Sequence, residues 1–425
     1  MTFEMLKNGI RNKQPSRKEN FLWNMIGSGV YSASSMVLSL IVIKIVGANQ
    51  GGVFSIALTL SQMLVYIAYF EMRTFLVTDT KNEFSFSEYH AAKILLCILM
   101  IFVSVLYTIV NSYDLEKRII ILLVCFVRFL DGYADVYEAQ FQRDGRLDLA
   151  GKSLAYRTII FVLVLVICLF MNGDLILSLV VSDFAAILGV IIFDVWIMNV
   201  LDKVTCSWNF QKIKGILTAC FPLFVGVFCW TYILSASRIA IDGNMSSEYQ
   251  AYYQVIFMPV SVINLFAGFV FRPMLPTLSN DYNNGRYSKV KKMLYKGIVG
   301  MVIFTGICMC VAYLVGIPVL SLLSGCDLSE YQEVLVFLIF AGGFNAIAFT
   351  MYYVLTIMRR PISILIDYIL AAILAFVLSP IFVRMYGING AAGSYFIVVL
   401  VLCMLFSISI VKVCIKIKKD KRVSK

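Results

Sequence analysis

The feature that most constrains this chain is a recurrence. Apolar runs of about twenty residues or more follow one another along its whole length, each long enough to cross a bilayer's hydrocarbon core as a helix. They fall at 21–46, 53–77, 91–113, 118–142, 150–171, 174–199, 213–238, 250–277, 293–318, 331–357, 362–385 and 389–415. Inside lipid every backbone N–H and C=O must be bonded within the protein, so runs of this kind are helical. With 60% of residues hydrophobic and 14% charged, a water-soluble fold would lack the polar surface to cover itself. The expected fold is an all-α polytopic membrane protein of about twelve transmembrane helices, with no room for a separate soluble domain.

A net charge of +11 raises the question of nucleic acid, which the distribution of the charge answers. Lys44, Lys117, Arg118, Arg238 and Arg384 fall on one side of the membrane, and nearly all other loop and tail cations fall on the opposite side. Such an excess marks the cytoplasmic face, so both termini are expected there, with no nucleic-acid partner. Residues 1–20 read as a charged cytoplasmic tail, and the apolar run after them exceeds a signal-peptide core. Most of the eleven cysteines lie inside spans, and His90 is the only histidine, so neither a disulfide framework nor a metal site is expected. No cofactor is implied.

Polar residues inside the spans form stripes. Ser55, Thr59, Gln62, Tyr66, Tyr69 and Arg73 recur at steps of three and four, which puts them on one face of a helix roughly 27 Å long. Gln254, Ser261, Asn264, Gly268 and Arg272 repeat the pattern in the eighth span. A stripe of this kind is either a helix-packing seam or the wall of a wet passage. Lys44 near the end of the first span has its counterpart in Arg238 of the seventh, and Arg73 in Arg272, each pair roughly 195 to 200 positions apart. A six-helix period keeps the same orientation, which predicts two six-helix bundles related by a pseudo-two-fold axis along the membrane normal. The bundles are placed at 21–200 and 215–415, joined by a cytoplasmic linker at 201–214, with a basic tail at 416–425.

The fourth span is the most charged, with Arg128, Asp131, Asp135, Glu138 and Gln142 on one face. These groups must face one another or water, since each charge near the bilayer centre costs roughly 2.5–3.5 kcal/mol. An Arg128–Asp131 pair within the helix accounts for two of them. Asp135, with no such partner on its own helix, is the first candidate for ion coupling, followed by Asp131 and by Asp183 of the sixth span; Glu138, Arg157 and Asp194 are expected near the inner edge. The stretch DGRLDLAGKS ends in Gly151, Lys152 and Ser153, but Arg146 stands where a phosphate-binding loop needs glycine, and a membrane helix precedes it where a strand is required.

The stretches IVIKIVGANQGGVFSIA, FEMRTFLVTDTKNEFSFSEYHAAK, EAQFQRDGRLDLAGK, SRIAID and IFMPVSVINLFAGFVFRPMLPTLSNDYNNG cover both halves in order. They resemble the Wzx-type polysaccharide repeat-unit flippases for O-antigen and capsule, within the multidrug, oligosaccharidyl-lipid and polysaccharide exporter superfamily. The resemblance implies two bundles about a central cleft, alternating access, and a polyprenyl-pyrophosphate-linked oligosaccharide as substrate. It carries the cationic substrate residues onto Arg73 and Arg272, then Arg238 and Lys44. Gln62, Tyr66, Tyr69 and Asn264 of the stripes are the accompanying candidates, with the tyrosines able to stack on sugar faces. Expected partners are a coupling cation, H+ or Na+, and the polysaccharide polymerase and glycosyltransferases of the same route. A cation-coupled multidrug exporter of the superfamily is the alternative. A membrane-bound polymerase or glycosyltransferase fits less well, because the outside loops are short, so the chain is read as a carrier and not as an enzyme.

Overall fold

The computed structural model describes residues 3–79, 83–202, 204–271 and 274–423. Among these residues there is no strand, and helices follow one another almost without loops, as expected. A short amphipathic helix, α1 (Phe3–Asn12), occupies part of the expected tail. The chain continues as α2 (Arg17–Tyr69), α3 (Met72–Thr78), α4 (Phe86–Val110), α5 (Leu115–Arg143) and α6 (Leu147–Asn172). Then come α7 (Leu175–Val190), a π-helical turn at Ile191–Trp196, and α8 (Ile197–Leu201). The remainder is α9 (Phe210–Asn244), α10 (Ser247–Phe271), α11 (Leu275–Asn283), α12 (Tyr287–Val311), α13 (Ile317–Ser324), α14 (Gln332–Ile357) and α15 (Pro361–Val423).

Among the described residues, nine helical stretches are long and apolar enough to cross a membrane. Two of them, α2 of 53 residues and α15 of 63, are each broken by one glycine with non-helical backbone, Gly47 at φ 82° and Gly387 at φ 57°. Each half exceeds a single crossing. The charged α5, 29 residues long, adds another membrane-length helix, so the arrangement is consistent with about twelve crossings. Large apolar side chains such as Phe102, Phe170, Ile373 and Phe376 remain more than half exposed, a belt that only lipid would cover. This is a multi-pass membrane protein.

One local expectation is corrected, and two glycine sites define close contacts. The chain bends at Gly47, and a Cβ on Gly51 would stand 2.7 Å from the Ile43 side chain across the bend. The stripe from Ser55 to Arg73 is not one helix, since Phe70 and Glu71 both take left-handed backbone, φ 47° and 53°, and separate α2 from α3. Gly151 of the phosphate-loop look-alike packs backbone to backbone, its Cβ position lying 2.3 Å from the Trp23 carbonyl, while that of Gly27 lies 2.4 Å from the Gly151 oxygen. Small residues at that crossing let α2 and α6 approach more closely than any side chain would permit.

Two compact units divide the chain, Met1–Phe228 and Cys229–Lys425. The division lies inside α9, downstream of 201–214, because Ile213, Ile216 and Cys220 join the N-terminal core with Phe70, Met72, Leu76, Tyr89 and Phe141. In the C-terminal unit, Ile233, Ala348, Leu355, Tyr368 and Phe406 form the corresponding core.

Candidate functional site

In the N-terminal unit, a network of ion pairs joins five elements. Arg73 of α3 reaches Glu138 at 3.0 Å and Asp135 at 3.4 Å through Nη1, and donates from Nε to Gln142 Oε1 at 3.1 Å. Lys93 of α4 meets Asp135 at 2.9 Å. Arg157 of α6 pairs with Glu138, with Asp131 at 3.0 Å, and with Asp194 of the π turn at 2.9 Å. The Arg157 Nε hydrogen is directed at Ser153 Oγ, 3.1 Å away, and that hydroxyl donates to Asp194 Oδ1 at 2.6 Å. The expected Arg128–Asp131 pair is present at 2.9 Å, but Asp131 is shared with Arg157.

The network therefore holds four cations, Arg73, Lys93, Arg128 and Arg157, against four carboxylates, Asp131, Asp135, Glu138 and Asp194. Opposite charge and shared hydrogen bonds are what make burial of so many ions tolerable. Two aromatic groups extend it: Arg128 lies 5.0 Å over the Tyr31 ring, and the Tyr31 and Tyr69 hydroxyls are 3.4 Å apart. A cavity of about 20 Å³ beside Tyr31, Arg128, Asp131, Arg157 and Thr158 has room for a single water.

Several sequence expectations change here. Asp135, without a partner on its own helix, has two from other helices. Glu138, Arg157 and Asp194 are buried members of the network and not solvated edge groups. Lys93 was not among the expected residues, yet its side chain is fully buried; besides Asp135 it donates to the carbonyls of Ala68 at 3.0 Å and Tyr69 at 3.5 Å. Those carbonyls belong to the last turn of α2, beside the break, where helical partners run out. Lys93 thus ties the break to α5. The only sequence signal was a lone lysine at the start of an apolar run.

The expected stripe splits by depth. Ser55 and Thr59 are buried and donate back into their own helix, to Gly51 O at 2.7 Å and Ser55 O at 3.0 Å, as packing residues do. Gln62, Tyr66 and Tyr69 are half-buried, with the two rings edge to face at 5.7 Å. Lys44 is exposed just before the Gly47 bend, at the far end of a helix segment roughly 33 Å long from the one that precedes Arg73. Asp183, on α7, stands apart from the network: it is buried, and neither carboxylate oxygen has a hydrogen-bond partner among the described residues.

In the C-terminal unit, Arg238 meets no carboxylate within ion-pair distance among the described residues. Its guanidinium donates to Gln254 Oε1 at 3.2 Å and Leu234 O at 3.1 Å and lies 4.9 Å over the Phe257 ring. Its Nε is buried without a partner among the described residues. Asn264 accepts from Asn345 Nδ2 at 2.8 Å. Arg272 lies outside the described residues. Asp367 accepts from Ser409 at 2.8 Å.

No family model matches the chain. Over 326 residues it is 22% identical to the capsular polysaccharide biosynthesis protein CapF of Staphylococcus aureus, a match covering 76% of this chain and 81% of that protein. Among solved structures it is similar to the lipid II flippase MurJ in an inward closed conformation, with TM-score 0.72, 15% identity, and 95% of this chain and 91% of that one covered. It is also similar to an inward-facing multidrug resistance MATE family transporter of the MOP superfamily, with TM-score 0.63, 11% identity and 99% of both chains covered. The fold is the one these transporters share, and the resemblance read from the sequence is borne out.

Proposed function

We propose that this chain carries a polyprenyl-pyrophosphate-linked oligosaccharide repeat unit from the cytoplasmic to the outer leaflet of a bacterial cytoplasmic membrane, by alternating access, for surface polysaccharide synthesis. The observation that carries this reading is Arg73: an arginine at the end of a polar stripe, its side chain 32% exposed while its carboxylate partners are almost wholly buried. A guanidinium can bind phosphate oxygens through two parallel charge-assisted hydrogen bonds, which suits a pyrophosphate. The oligosaccharide carries many hydroxyls, each costing a few kcal/mol to strip of water, so it needs a polar route, whereas the prenyl tail can stay in lipid. Gln62, Tyr66 and Tyr69 lead from Arg73 along α2 and would face the sugars. Arg272, Arg238 and Asn264 are the proposed C-terminal counterparts, with Lys44 in a secondary role at the other end of α2. The likeness to a protein named for capsular polysaccharide biosynthesis supports this substrate class.

The test is reconstitution in proteoliposomes with a labelled polyprenyl-pyrophosphate oligosaccharide. Arg73→Ala is expected to lower the flipping rate by 10-fold or more, in line with the ~2–5 kcal/mol at stake when a charge-assisted partner is lost. An unchanged rate in the Arg73→Ala, Arg272→Ala double variant rejects the assignment.

One observation favours a second reading. The bare carboxylate of Asp183 is the kind of group a cation-coupled exporter of small organic cations would use. Uptake of a fluorescent cation by the same proteoliposomes, abolished by Asp183→Asn and indifferent to lipid-linked sugar, would select it.

A further inference from the structure

The four cations of the network are not equivalent. The Lys93, Arg128 and Arg157 side chains are 0%, 8% and 5% exposed, whereas Arg73 is 32% exposed. Arg73 is therefore the member that an external anion can reach. Its two carboxylates are also the ones with a second partner: Asp135 keeps Lys93 at 2.9 Å, and Glu138 keeps Arg157. Arg73 can turn away without stranding either one as a bare buried ion.

The overall charge still changes. Without Arg73, three cations face four carboxylates in a buried setting, where an uncompensated charge costs several kcal/mol. Nothing nearby makes up the difference among the described residues. Tyr31 and Tyr69 of α2 and Cys97 of α4 bring no cation, Glu71 at the break is a further carboxyl group, and Arg157 is already engaged with Asp131, Glu138 and Asp194. The cavity beside Asp131, about 20 Å³, admits a water but not a hydrated metal ion. A proton needs no such room and restores the balance directly on a carboxylate oxygen.

We infer that Arg73 is an exchangeable counter-ion: when it turns from Asp135 and Glu138 to a pyrophosphate-bearing ligand, that carboxylate pair takes up one proton, and the proton leaves when Arg73 returns. This rests on the reading that Arg73 binds the anionic head group, and it assigns the coupling to the same residue. The chemistry is one O–H bond formed on a carboxylate oxygen, with the proton drawn from water on loading and returned on release. Ligand and proton then bind cooperatively, each strengthening the other by the same factor.

The test is calorimetric titration of the full-length protein in detergent with farnesyl pyrophosphate, in buffers of differing ionisation enthalpy, with Glu138→Gln as the comparison. The wild type is expected to take up about one proton more per ligand than Glu138→Gln, in which three cations face three carboxylates once Arg73 leaves. Glu138→Gln is expected to bind about threefold to tenfold more tightly, because Arg73 has lost one of its two holders. Equal proton counts, with binding that Arg73→Gln abolishes, overturn the inference and leave the Arg73 reading standing. Affinity that follows sodium at constant ionic strength, without a proton difference, also overturns it. Unaltered binding by Arg73→Gln, or no binding by the wild type, overturns the Arg73 reading itself. Should Glu138→Gln fail to elute as a single species, the wild type alone decides: after correction for the ligand's own titration, a slope of about one in log Kd against pH supports the inference, and a slope of zero overturns it.

Discussion

Removing the Lys93 amine would leave Asp135 with Arg73 alone and release the Ala68 and Tyr69 carbonyls beside the break. Truncating one partner of a buried pair costs ~3–5 kcal/mol, because the other charge remains in place. Lys93→Met is therefore expected to lower thermal stability sharply, and Lys93→Met with Asp135→Asn to recover much of the loss, as measured by unfolding of the purified variants in detergent. A second residue sets a pH limit. Burial pushes the Asp79 carboxyl up, but the amides of Glu83 and Phe84, at 3.1 and 3.2 Å, and the Arg143 guanidinium outweigh it and hold it below its ordinary 3.8. A lowered carboxyl stabilises the fold fully above its ordinary value and loses that contribution as pH falls through the lowered one. Asp79→Asn is expected to melt earlier than the wild type near pH 7, with the gap closing below about pH 4.

At the scale of elements, the α2–α6 crossing is the contact least able to adapt. A Cβ at Gly151 would fall 2.3 Å from backbone atoms of Trp23, and a backbone cannot turn aside as a side chain can. Gly151→Ala is expected to cost about 1–3 kcal/mol and to reduce the monodisperse yield, with Lys152→Ala as a control at the neighbouring position. The sequence made the helices legible because twenty-residue apolar runs have one solution in lipid. The bends at Gly47 and Gly387 were legible as the short gaps between the spans they separate, but nothing in the composition of Phe70 and Glu71 marks a left-handed break. The α5 stripe was legible because its charges share one face. Their partners were not, because Lys93, Arg157 and Asp194 come from other helices, and the three-to-four period of a single helix cannot report a neighbour.

Across the whole molecule, the two units handle buried charge differently. The N-terminal unit gathers four cations with four carboxylates, while Arg238 in the C-terminal unit has an amide, a carbonyl and a ring for company. Of the recurring basic landmarks, Lys44 is exposed whereas its counterpart Arg238 is half-buried, so the surroundings of that pair do not repeat. The balanced network also has a consequence during synthesis. Its charges are spread over α3, α4, α5, α6 and the π turn, so α5 enters the membrane with Asp131, Asp135 and Glu138 before Arg157 has been translated. Until α6 arrives, Arg73, Lys93 and Arg128 balance those three carboxylates in number, but Glu138 and Asp131 still lack the Arg157 that ties them to α6. Order in the first half is thus imposed late, and a nascent chain halted between α5 and α6 would present its quality-control machinery with an unfinished ion pair rather than a folded intermediate.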